Sequence, residues 1–224
     1  ALTGRAEIAE DGWKGGLDVA LNAIEAQRLM RLWPVSAVPG TRKWLSENVG
    51  QAEFTNFKAA LRFAEKTPPR FALGYEFSGA EVRFIRTLPP IQEGHGRATI
   101  EGNVYTVVVD GGHVTAPQGG RIEVGGSVMT VPDITKFPAT AEVRLITDAP
   151  LTATLSLLDQ EPFRFLQKAE RPVDLGQGRA VLASDLRFPL IARITAGDVE
   201  YNVSGRILDF SSDKIVPGRT VTSP

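Results

Sequence analysis

Two histidines are the only imidazole side chains in this sequence, and each sits in a glycine-rich stretch. His95 lies between Gly94 and Gly96, and His113 follows Gly112. A catalytic base or a metal ligand needs partners at fixed offsets, such as a second histidine one helical turn away or a nearby carboxylate pair. Neither histidine has such partners, so we expect both to be solvent-exposed turn residues.

The remaining motifs that could support catalysis or ligand binding are also incomplete. The glycines around His95 lead into a strand pattern, whereas a phosphate loop leads into a helix N-terminus. Gly126-Ser127 lacks the second glycine of a serine-nucleophile elbow. Four carboxylates could act as acid–base pairs, namely Asp110, Asp133, Asp148 and Asp159. Each lies beside turn residues, where an aspartate side chain commonly hydrogen-bonds to the backbone of the turn. These patterns favour a protein that is not an enzyme and has no cofactor or metal.

Composition narrows the class of protein further. The chain has 224 residues, of which 42% are hydrophobic, and a formal charge of −1 from 25 basic and 26 acidic residues. No block of like charge occurs, so we expect no nucleic-acid partner. The absence of cysteine excludes disulfides and thiolate sites. A mean hydropathy of −0.07 and the lack of an 18-residue apolar run argue against a membrane-embedded chain. The sequence begins at Ala1-Leu2-Thr3-Gly4 in the middle of a pattern, and we expect it to be a piece of a longer protein.

Three helices are expected among the elements that must position any site. Asn22 and Glu25 have the spacing of a capping box, and an apolar pattern follows over 24–32 until Trp33-Pro34. The second helix covers 41–49, carries Trp44 and ends at Gly50, where a left-handed cap is favourable. The third covers 151–166.

Most of the remaining sequence alternates with a period of two, which is typical of half-buried strands. One run contains Phe57, Leu61 and Phe63, and the next extends from Phe71 to Phe77. Such alternation places each neighbouring arginine, as in Arg62-Phe63, on the opposite face from its aromatic partner.

Further strands follow this first pair of runs. Val82 and Phe84 predict a third strand that ends at Pro89-Pro90. A segment over 191–196 also reads as a strand, and Gly125-Gly126 suits a two-residue hairpin turn. We therefore predict a mainly β fold with one long, curved antiparallel sheet, either a groove or an open sandwich, and two or three short helices.

The same patterns suggest a division of the chain. Residues 1–50 form a hairpin plus a helix pair, 51–150 a β-meander, 151–170 a helical insertion, and 171–224 the start of a second β unit. Tyr75-Glu76-Phe77-Ser78-Gly79 is echoed by Tyr201-Asn202-Val203-Ser204-Gly205. The echo is either a chance similarity of two hairpin edges or the sign of a repeating unit. In either case the segments belong to one domain or to a fragment of a longer repetitive protein.

A family resemblance rests on the order of these signals. Residues 31–50 read RLWPVSAVPGTRKWLSENVG and continue into QAEFTNFKAALRFA. Two further motifs follow, GYEFSGA at 74–80 and TLPP at 87–90. This succession resembles the central region of YhdP-type proteins, very long bacterial envelope proteins that are related to AsmA and, more distantly, to the repeating β-groove lipid-transfer proteins. The resemblance covers roughly Gly12 to Phe210. It lies in the spacing of these motifs and of the glycine and proline residues between the predicted elements, and not in a catalytic motif.

The resemblance implies a periplasmic segment of an inner-membrane-anchored protein that takes part in phospholipid transport towards the outer membrane and so in outer-membrane integrity. Its partners would be phospholipid acyl chains, the remaining segments of the same long chain and envelope proteins. The candidate groove lining consists of Phe57, Leu61, Phe63, Phe71, Leu73, Tyr75, Phe77, Val82, Phe84, Ile100, Val107 and Val109. The alternative for these residues is the ordinary core of a closed sandwich, in a non-enzymatic structural or assembly module of an envelope protein.

The expected structural anchor comprises Trp33, Pro34, Trp44, Pro89 and Pro90. Its tryptophans would pack the helix pair against the end of the sheet, because helices this short need tertiary contacts to persist. We predict that Trp44→Ala lowers the free energy of unfolding by about 3–5 kcal/mol, as is typical of a buried aromatic side chain. Chemical denaturation would measure it, and a change within error would contradict the anchor role.

Overall fold

A computed structural model describes residues 1–9, 12–32, 39–161, 163–191, 194–216 and 218–223. The fold is mainly β, with 63% strand and 13% helix, in one curved antiparallel sheet with four short helices. The prediction of a long antiparallel sheet with short helices is thereby confirmed. The strands, in chain order, are β1 (Leu2–Ala9), β2 (Gly12–Glu25), β3 (Val49–Ala64), β4 (Thr67–Val82), β5 (Ile91–Glu101), β6 (Val104–Thr115), β7 (Arg121–Glu123), β8 (Ser127–Val131), β9 (Thr140–Pro150), β10 (Gln177–Pro189), β11 (Glu200–Val216) and β12 (Arg219–Ser223).

Strand order in the sheet follows strand order in the sequence. Neighbouring strands pair from β1 through β6, then β9 through β12, and both β7 and β8 lie between β6 and β9. Because β7 and β8 pair with the same two neighbours and not with each other, they act as one interrupted strand. The predicted hairpin turn at Gly125-Gly126 is therefore wrong, and these glycines form the interruption instead. β10–β12 continue the same sheet, since β10 pairs with β9.

The helices lie at one end of the strands. α1 (Ala26–Leu32) and α2 (Pro39–Asn48) connect β2 to β3, and α3 (Leu151–Leu158) and α4 (Phe165–Lys168) connect β9 to β10. Since antiparallel neighbours alternate in direction, the ends of β2 and β9 lie on the same side of the sheet. We call this side the helical rim. The opposite side carries the β3–β4 and β5–β6 turns and is called the turn rim.

Several boundaries differ from the predicted ones. Asn22 and Glu25 lie within β2, so the predicted capping box is wrong and the helix begins at Ala26. The run up to Val82 is a single strand, β4, and no separate third strand follows it. The strand expected over 191–196 is also wrong for its described part, because a 3₁₀ turn at Ala196–Asp198 begins there, capped by Thr195. At Asn22–Glu25 the local helix signal is overridden by the pairing of β2 with β3, whereas at 195–198 a local capping box replaces the expected strand.

β-Bulges bend several of the long strands. The pairing of β3 with β4 shifts register between Thr55 and Lys58, where Asn56 has a φ of 51°. β5 and β6 shift between Gln92 and His95, where Glu93 has a φ of 53°. A bulge bends the strand that carries it and increases the local twist, so these bulges contribute to the curvature of the sheet.

Little of the chain forms a closed core. The solvent-accessible surface is 14227 Å², whereas a compact monomer of 24.2 kDa exposes about 10,000 Å². The residues with the least exposure are mostly alanines, such as Ala98, Ala141 and Ala153. The described residues form a single sheet, with no second sheet packed on it. The molecule is therefore an open, bent sheet whose large side chains remain partly accessible.

Gly96 in β5 offers a test of the close approach at the bend. A Cβ atom there would lie 2.0 Å from the carbonyl oxygen of Val108 and 3.0 Å from the Phe77 ring. We predict that Gly96→Ala lowers the free energy of unfolding by about 1–3 kcal/mol through overpacking. Gly74, on the neighbouring strand, has nothing within 4 Å of its added Cβ, so Gly74→Ala is the matched control. Equal unfolding curves for the two variants would contradict the close approach at β5.

Candidate functional site

The register of the sheet places apolar side chains on one face across most of its strands. One row of directly opposed residues runs from β1 to β8 and consists of Leu2, Val19, Ala59, Leu73, Ile100, Tyr105 and Val131. A second row on the same face runs from β4 to β11 and consists of Tyr75, Ala98, Val107, Met129, Val143, Leu186 and Tyr201. We call the surface that carries both rows the apolar face. No member of either row is charged.

The opposite surface, called the polar face, has the reverse character. A row between the two apolar rows consists of Lys58, Gly74, Thr99, Thr106, Thr130, Glu142, Arg187 and Glu200. Exposed ion pairs link other strands of this face, with Arg62 2.7 Å from Asp18 and Arg144 3.1 Å from Asp185. Exposed pairs contribute little to stability, but opposite charges on neighbouring strands favour the observed register. The sheet is thus apolar on one side and solvated on the other.

Aromatic side chains converge on the apolar face near β5. Tyr75 packs edge-on against Phe54, with ring centroids 5.2 Å apart, and stacks against Phe57 at 6.1 Å. Its hydroxyl lies 2.8 Å from that of Tyr105, on the far side of β5. Ala98 of β5 lies directly opposite Tyr75 and is only 2% exposed. Large side chains of β3, β4 and β6 therefore meet on the apolar face beside a small residue of β5.

The two tyrosine hydroxyls are the main polar atoms in this part of the apolar face. Burial raises the pKa of Tyr75 well above its usual range, and the neighbouring Tyr105 raises it further. Burial also raises the pKa of Tyr105, while its hydrogen bond with Tyr75 acts in the opposite direction. Both hydroxyls are therefore protonated at neutral pH. The pair forms an uncharged polar bridge between β4 and β6.

The helices cover the apolar face only beside the helical rim. Ala26 of α1 packs with Ala52 and Ala80, and partly buried Phe54 and Phe77 lie against this cluster. Ala153 of α3 packs with Val114, Ile122 and Ala149, among others, in a second cluster. α1 and α2 contact β2 and β3, and α3 contacts β7, β9 and β10. The apolar face between these helices and the turn rim has no covering layer within the described part of the chain.

Most of the predicted lining residues share this face. Register and alternation place the following on it, each in a partly buried or exposed position: Phe57, Leu61, Phe63, Phe71, Leu73, Tyr75, Phe77, Ile100, Val107 and Val109. Val82 ends β4 and packs against the cluster under α1. Phe84 lies beyond β4, in the connection to β5, and is 42% exposed. Phe84 is therefore separated from the strand positions that the other residues occupy.

The predicted anchor falls largely on parts that the structure leaves undescribed. Trp33 and Pro34 lie outside the described residues, as does the side chain of Trp44, whose backbone belongs to α2. Pro89 and Pro90 are partly buried in the connection between β4 and β5. This connection is tied to the helical rim, because the backbone nitrogen of Arg83 donates to Asn48 and the Thr87 hydroxyl donates to the carbonyl of Glu161.

Sequence reasoning missed the lining contributed by the second half of the sheet. Met129, Val143, Leu186 and Tyr201 continue the row that begins at Tyr75. The signal was present, because each lies in a period-two run. Alternation alone could not show that these runs join the same sheet with the same face inward.

The expectation for His113 was wrong. His113 lies in β6 on the polar face and is 5% exposed, with Nδ1 3.5 Å from Oε2 of Glu93. Glu93 also lies 3.9 Å from Arg121. These residues line a cavity of about 260 Å³ together with polar side chains of β3 and β4. The positive φ of Glu93 at the bulge turns its carboxylate towards His113, which no sequence pattern reveals. His95 is exposed as expected, but it lies in β5.

Two further features of the described residues concern ligands and membranes. They contain no group of three or more histidine, cysteine, aspartate or glutamate side chains placed to hold a metal ion. None of their helices is long and apolar enough to cross a membrane.

Comparisons of the chain with protein-family models, with curated proteins and with solved structures found no match. The resemblance to YhdP-type proteins therefore stays a hypothesis that rests on the residues quoted above.

The tyrosine bridge predicts a dependence of stability on pH. Unfolded tyrosines ionise near pH ~10, whereas the buried pair holds its protons to higher pH. The stabilising contribution is present below about pH 10 and is lost as the pH rises through the folded-state pKa values. We expect the free energy of unfolding to fall less steeply above about pH 10 in Tyr75→Phe than in the unsubstituted chain. Denaturant titrations at neutral and alkaline pH would measure both slopes, and identical slopes would contradict the assignment.

Proposed function

We propose that this chain is a non-enzymatic segment of a periplasmic protein that holds phospholipid acyl chains on its apolar face. The parent protein would be anchored in the inner membrane and take part in phospholipid transport towards the outer membrane, as the YhdP-like sequence pattern implies. The remaining segments of the parent chain would continue the groove on either side. The observation that carries the proposal is the uncharged row of side chains that crosses the sheet on its apolar face.

The energetic reason for such a face is the cost of moving a lipid through water. Each exposed methylene costs about 0.8 kcal/mol, so a sixteen-carbon tail costs on the order of 13 kcal/mol. An apolar floor that is continuous along the path lowers this cost at every point. The apolar surface need only be as long as the acyl chain. Neighbouring strands of a sheet are spaced about 4.8 Å apart. The row from Tyr75 to Tyr201 crosses seven successive strand positions and so extends for roughly 29 Å.

The openness of the fold supports the same proposal. The excess of accessible surface over a compact protein, and the large side chains left partly exposed on the apolar face, leave room for a ligand. Monomeric soluble proteins rarely leave a large contiguous apolar surface uncovered unless it has a binding role. The tyrosine hydroxyls add a polar contact at which an ester or hydroxyl group of a lipid can bind.

An assembly module of the cell envelope is the second candidate. An exposed apolar surface also fits a protein partner, and the helical rim offers a rigid support for one. The two candidates differ in what the face binds. A lipid groove takes up free acyl chains, whereas a protein interface needs a complementary partner surface.

The test compares an aspartate on each face. We expect Leu73→Asp and Leu61→Asp to reduce binding of a fluorescent fatty acid, and the lipid that co-purifies, by at least about tenfold. An unpaired carboxylate against hydrocarbon costs more than the roughly 1.4 kcal/mol that corresponds to a tenfold change. Thr99→Asp is the matched control, because Thr99 precedes Ile100 in β5 and points to the polar face. Binding is measured by fluorescence titration and by lipid mass spectrometry.

Two outcomes would contradict the proposal. If Leu73→Asp and Leu61→Asp unfold the chain, by circular dichroism and thermal melting, these residues are structural core. If the folded chain takes up no fatty acid and carries no lipid after purification, the apolar face serves a protein partner.

A further inference from the structure

The helical rim carries an excess of positive charge. Three connections form most of it, namely 26–48 between β2 and β3, 83–90 between β4 and β5, and 151–176 between β9 and β10. Each joins strands that are paired on both sides. Together these connections contain nine basic and five acidic residues, whereas the whole chain has 25 and 26. The rest of the chain is therefore net negative, and positive charge is concentrated at this rim.

Most of the basic side chains of the rim have no carboxylate partner. Six of them are exposed and make no ion pair with any described residue: Arg28, Arg31, Arg83, Arg86, Lys168 and Arg171. Of the other rim cations, Lys43 pairs with Glu47 at 3.9 Å and Arg164 pairs with Glu161. On the polar face, by contrast, arginines such as Arg144 are paired across strands. The six cations of the rim are therefore available to an external anion.

Exposed apolar side chains lie beside these cations. Three dipeptides, Arg31-Leu32, Arg83-Phe84 and Arg164-Phe165, each join an exposed arginine to an apolar residue that is 66%, 42% and 41% exposed, respectively. In a strand, alternation would place the two members on opposite faces. None of the three lies in a strand, since they belong to the end of α1, the β4–β5 connection and the start of α4. Positive charge and exposed apolar surface therefore occur together at the rim.

Hydrogen bonds join these connections into one surface. The backbone nitrogen of Arg83 donates to the carbonyl of Asn48 at the end of α2, over 2.9 Å. The hydroxyl of Thr87 donates to the carbonyl of Glu161, beyond α3, over 2.5 Å. The β4–β5 connection thus links the helix pair that follows β2 to the segment that follows β9. The arginines and apolar side chains are presented from a connected framework.

The chemistry of this surface matches an anionic lipid bilayer. Guanidinium groups bind phosphate through paired N–H donors, and basic residues are attracted to an anionic membrane surface. Phenylalanine and leucine insert at the boundary of headgroups and acyl chains. A single-stranded nucleic acid also offers phosphates, but its bases need free aromatic faces. Leu32 has no such face, and the Phe165 ring already stacks on that of Phe163, with centroids 5.6 Å apart.

We propose that the helical rim docks on the surface of a lipid bilayer that contains anionic phospholipids. Its unpaired arginines bind lipid phosphates, while Leu32, Phe84 and Phe165 insert between the headgroups. The strands then extend away from the bilayer, with the turn rim farthest from it. The inference does not rest on the proposed function, because the rim lies outside the uncovered part of the apolar face.

Vesicle sedimentation tests the role of charge. We expect the chain to bind vesicles of phosphatidylcholine with phosphatidylglycerol, to bind phosphatidylcholine alone much less, and to lose affinity as salt is raised. Arg83→Gln combined with Arg86→Gln should lower the vesicle partition coefficient by about tenfold or more. Arg70→Gln combined with Arg206→Gln is the matched control, because it removes the same charge from exposed strand positions outside the rim. The control should bind like the unsubstituted chain.

A second pair of variants tests apolar insertion. Leu32→Ser should lower the same partition coefficient by about fivefold or more, because its side chain leaves water on docking. Phe137→Ser is the control, since Phe137 is 98% exposed but lies between β8 and β9 at the turn rim. Binding of a fluorescent fatty acid should not change in Arg83→Gln combined with Arg86→Gln, which separates docking from acyl-chain binding.

Circular dichroism and thermal melting check that each variant is folded. If the variant at Arg83 and Arg86 melts early, Arg28→Gln combined with Arg31→Gln replaces it, with the same expected loss. Three results would overturn the proposal. The first is equal binding to vesicles with and without phosphatidylglycerol. The second is a loss of binding in Phe137→Ser or in the control arginine pair that matches the loss in the rim variants. The third is binding to a single-stranded oligonucleotide but to neither vesicle.

Discussion

Period-two alternation held in register across the whole sheet is the constraint on which the rest of this structure depends. A shift of one residue in any strand would turn its side chains to the other face. The row from Tyr75 to Tyr201 would then acquire charged members from the polar row beside it. Cross-strand ion pairs such as Arg144–Asp185 and Arg97–Asp110 favour the observed register on the outer side. The uncharged inner side is thus maintained partly by the charges of the outer side.

Curvature depends on where small residues and bulges occur. Gly96 and Ala98 of β5 allow Tyr75 and Tyr105 to meet above them, and Gly96 has no space for a larger side chain. Bulges in β3 and β5 bend strands of the same group. The backbones of β4 and β6 lie two strand spacings apart, about 9.6 Å, and the two tyrosine side chains lean over β5 to close this gap. The contacts among these rings and hydroxyls join β3, β4 and β6 across the sheet.

The sequence predicted the kind of fold well because its strongest signals are local. An alternating run such as Phe71 to Phe77 predicts both a strand and the side chains that share one of its faces. Pairs of glycine or proline residues indicate where most strands end. The failures depend on tertiary context. The pairing of β2 with β3 extends the strand through the Asn22–Glu25 pattern, and the interruption at Gly125-Gly126 looks like a hairpin when its neighbours are unknown. The burial of His113 required a bulge at Glu93, and the lining from β8 to β11 required knowledge of the strand order.

The sequential order of the strands has a consequence for how the chain folds. Most strands pair with the strand that precedes them in the sequence, so most loops that close during folding are short. Contacts of small sequence separation are associated with rapid folding among β-rich proteins. A chain that emerges gradually from its N-terminus can add one strand at a time to a growing edge, without waiting for a distant segment. At every stage the newest strand presents an unpaired edge, so the partly formed sheet is most vulnerable to aggregation where it is growing.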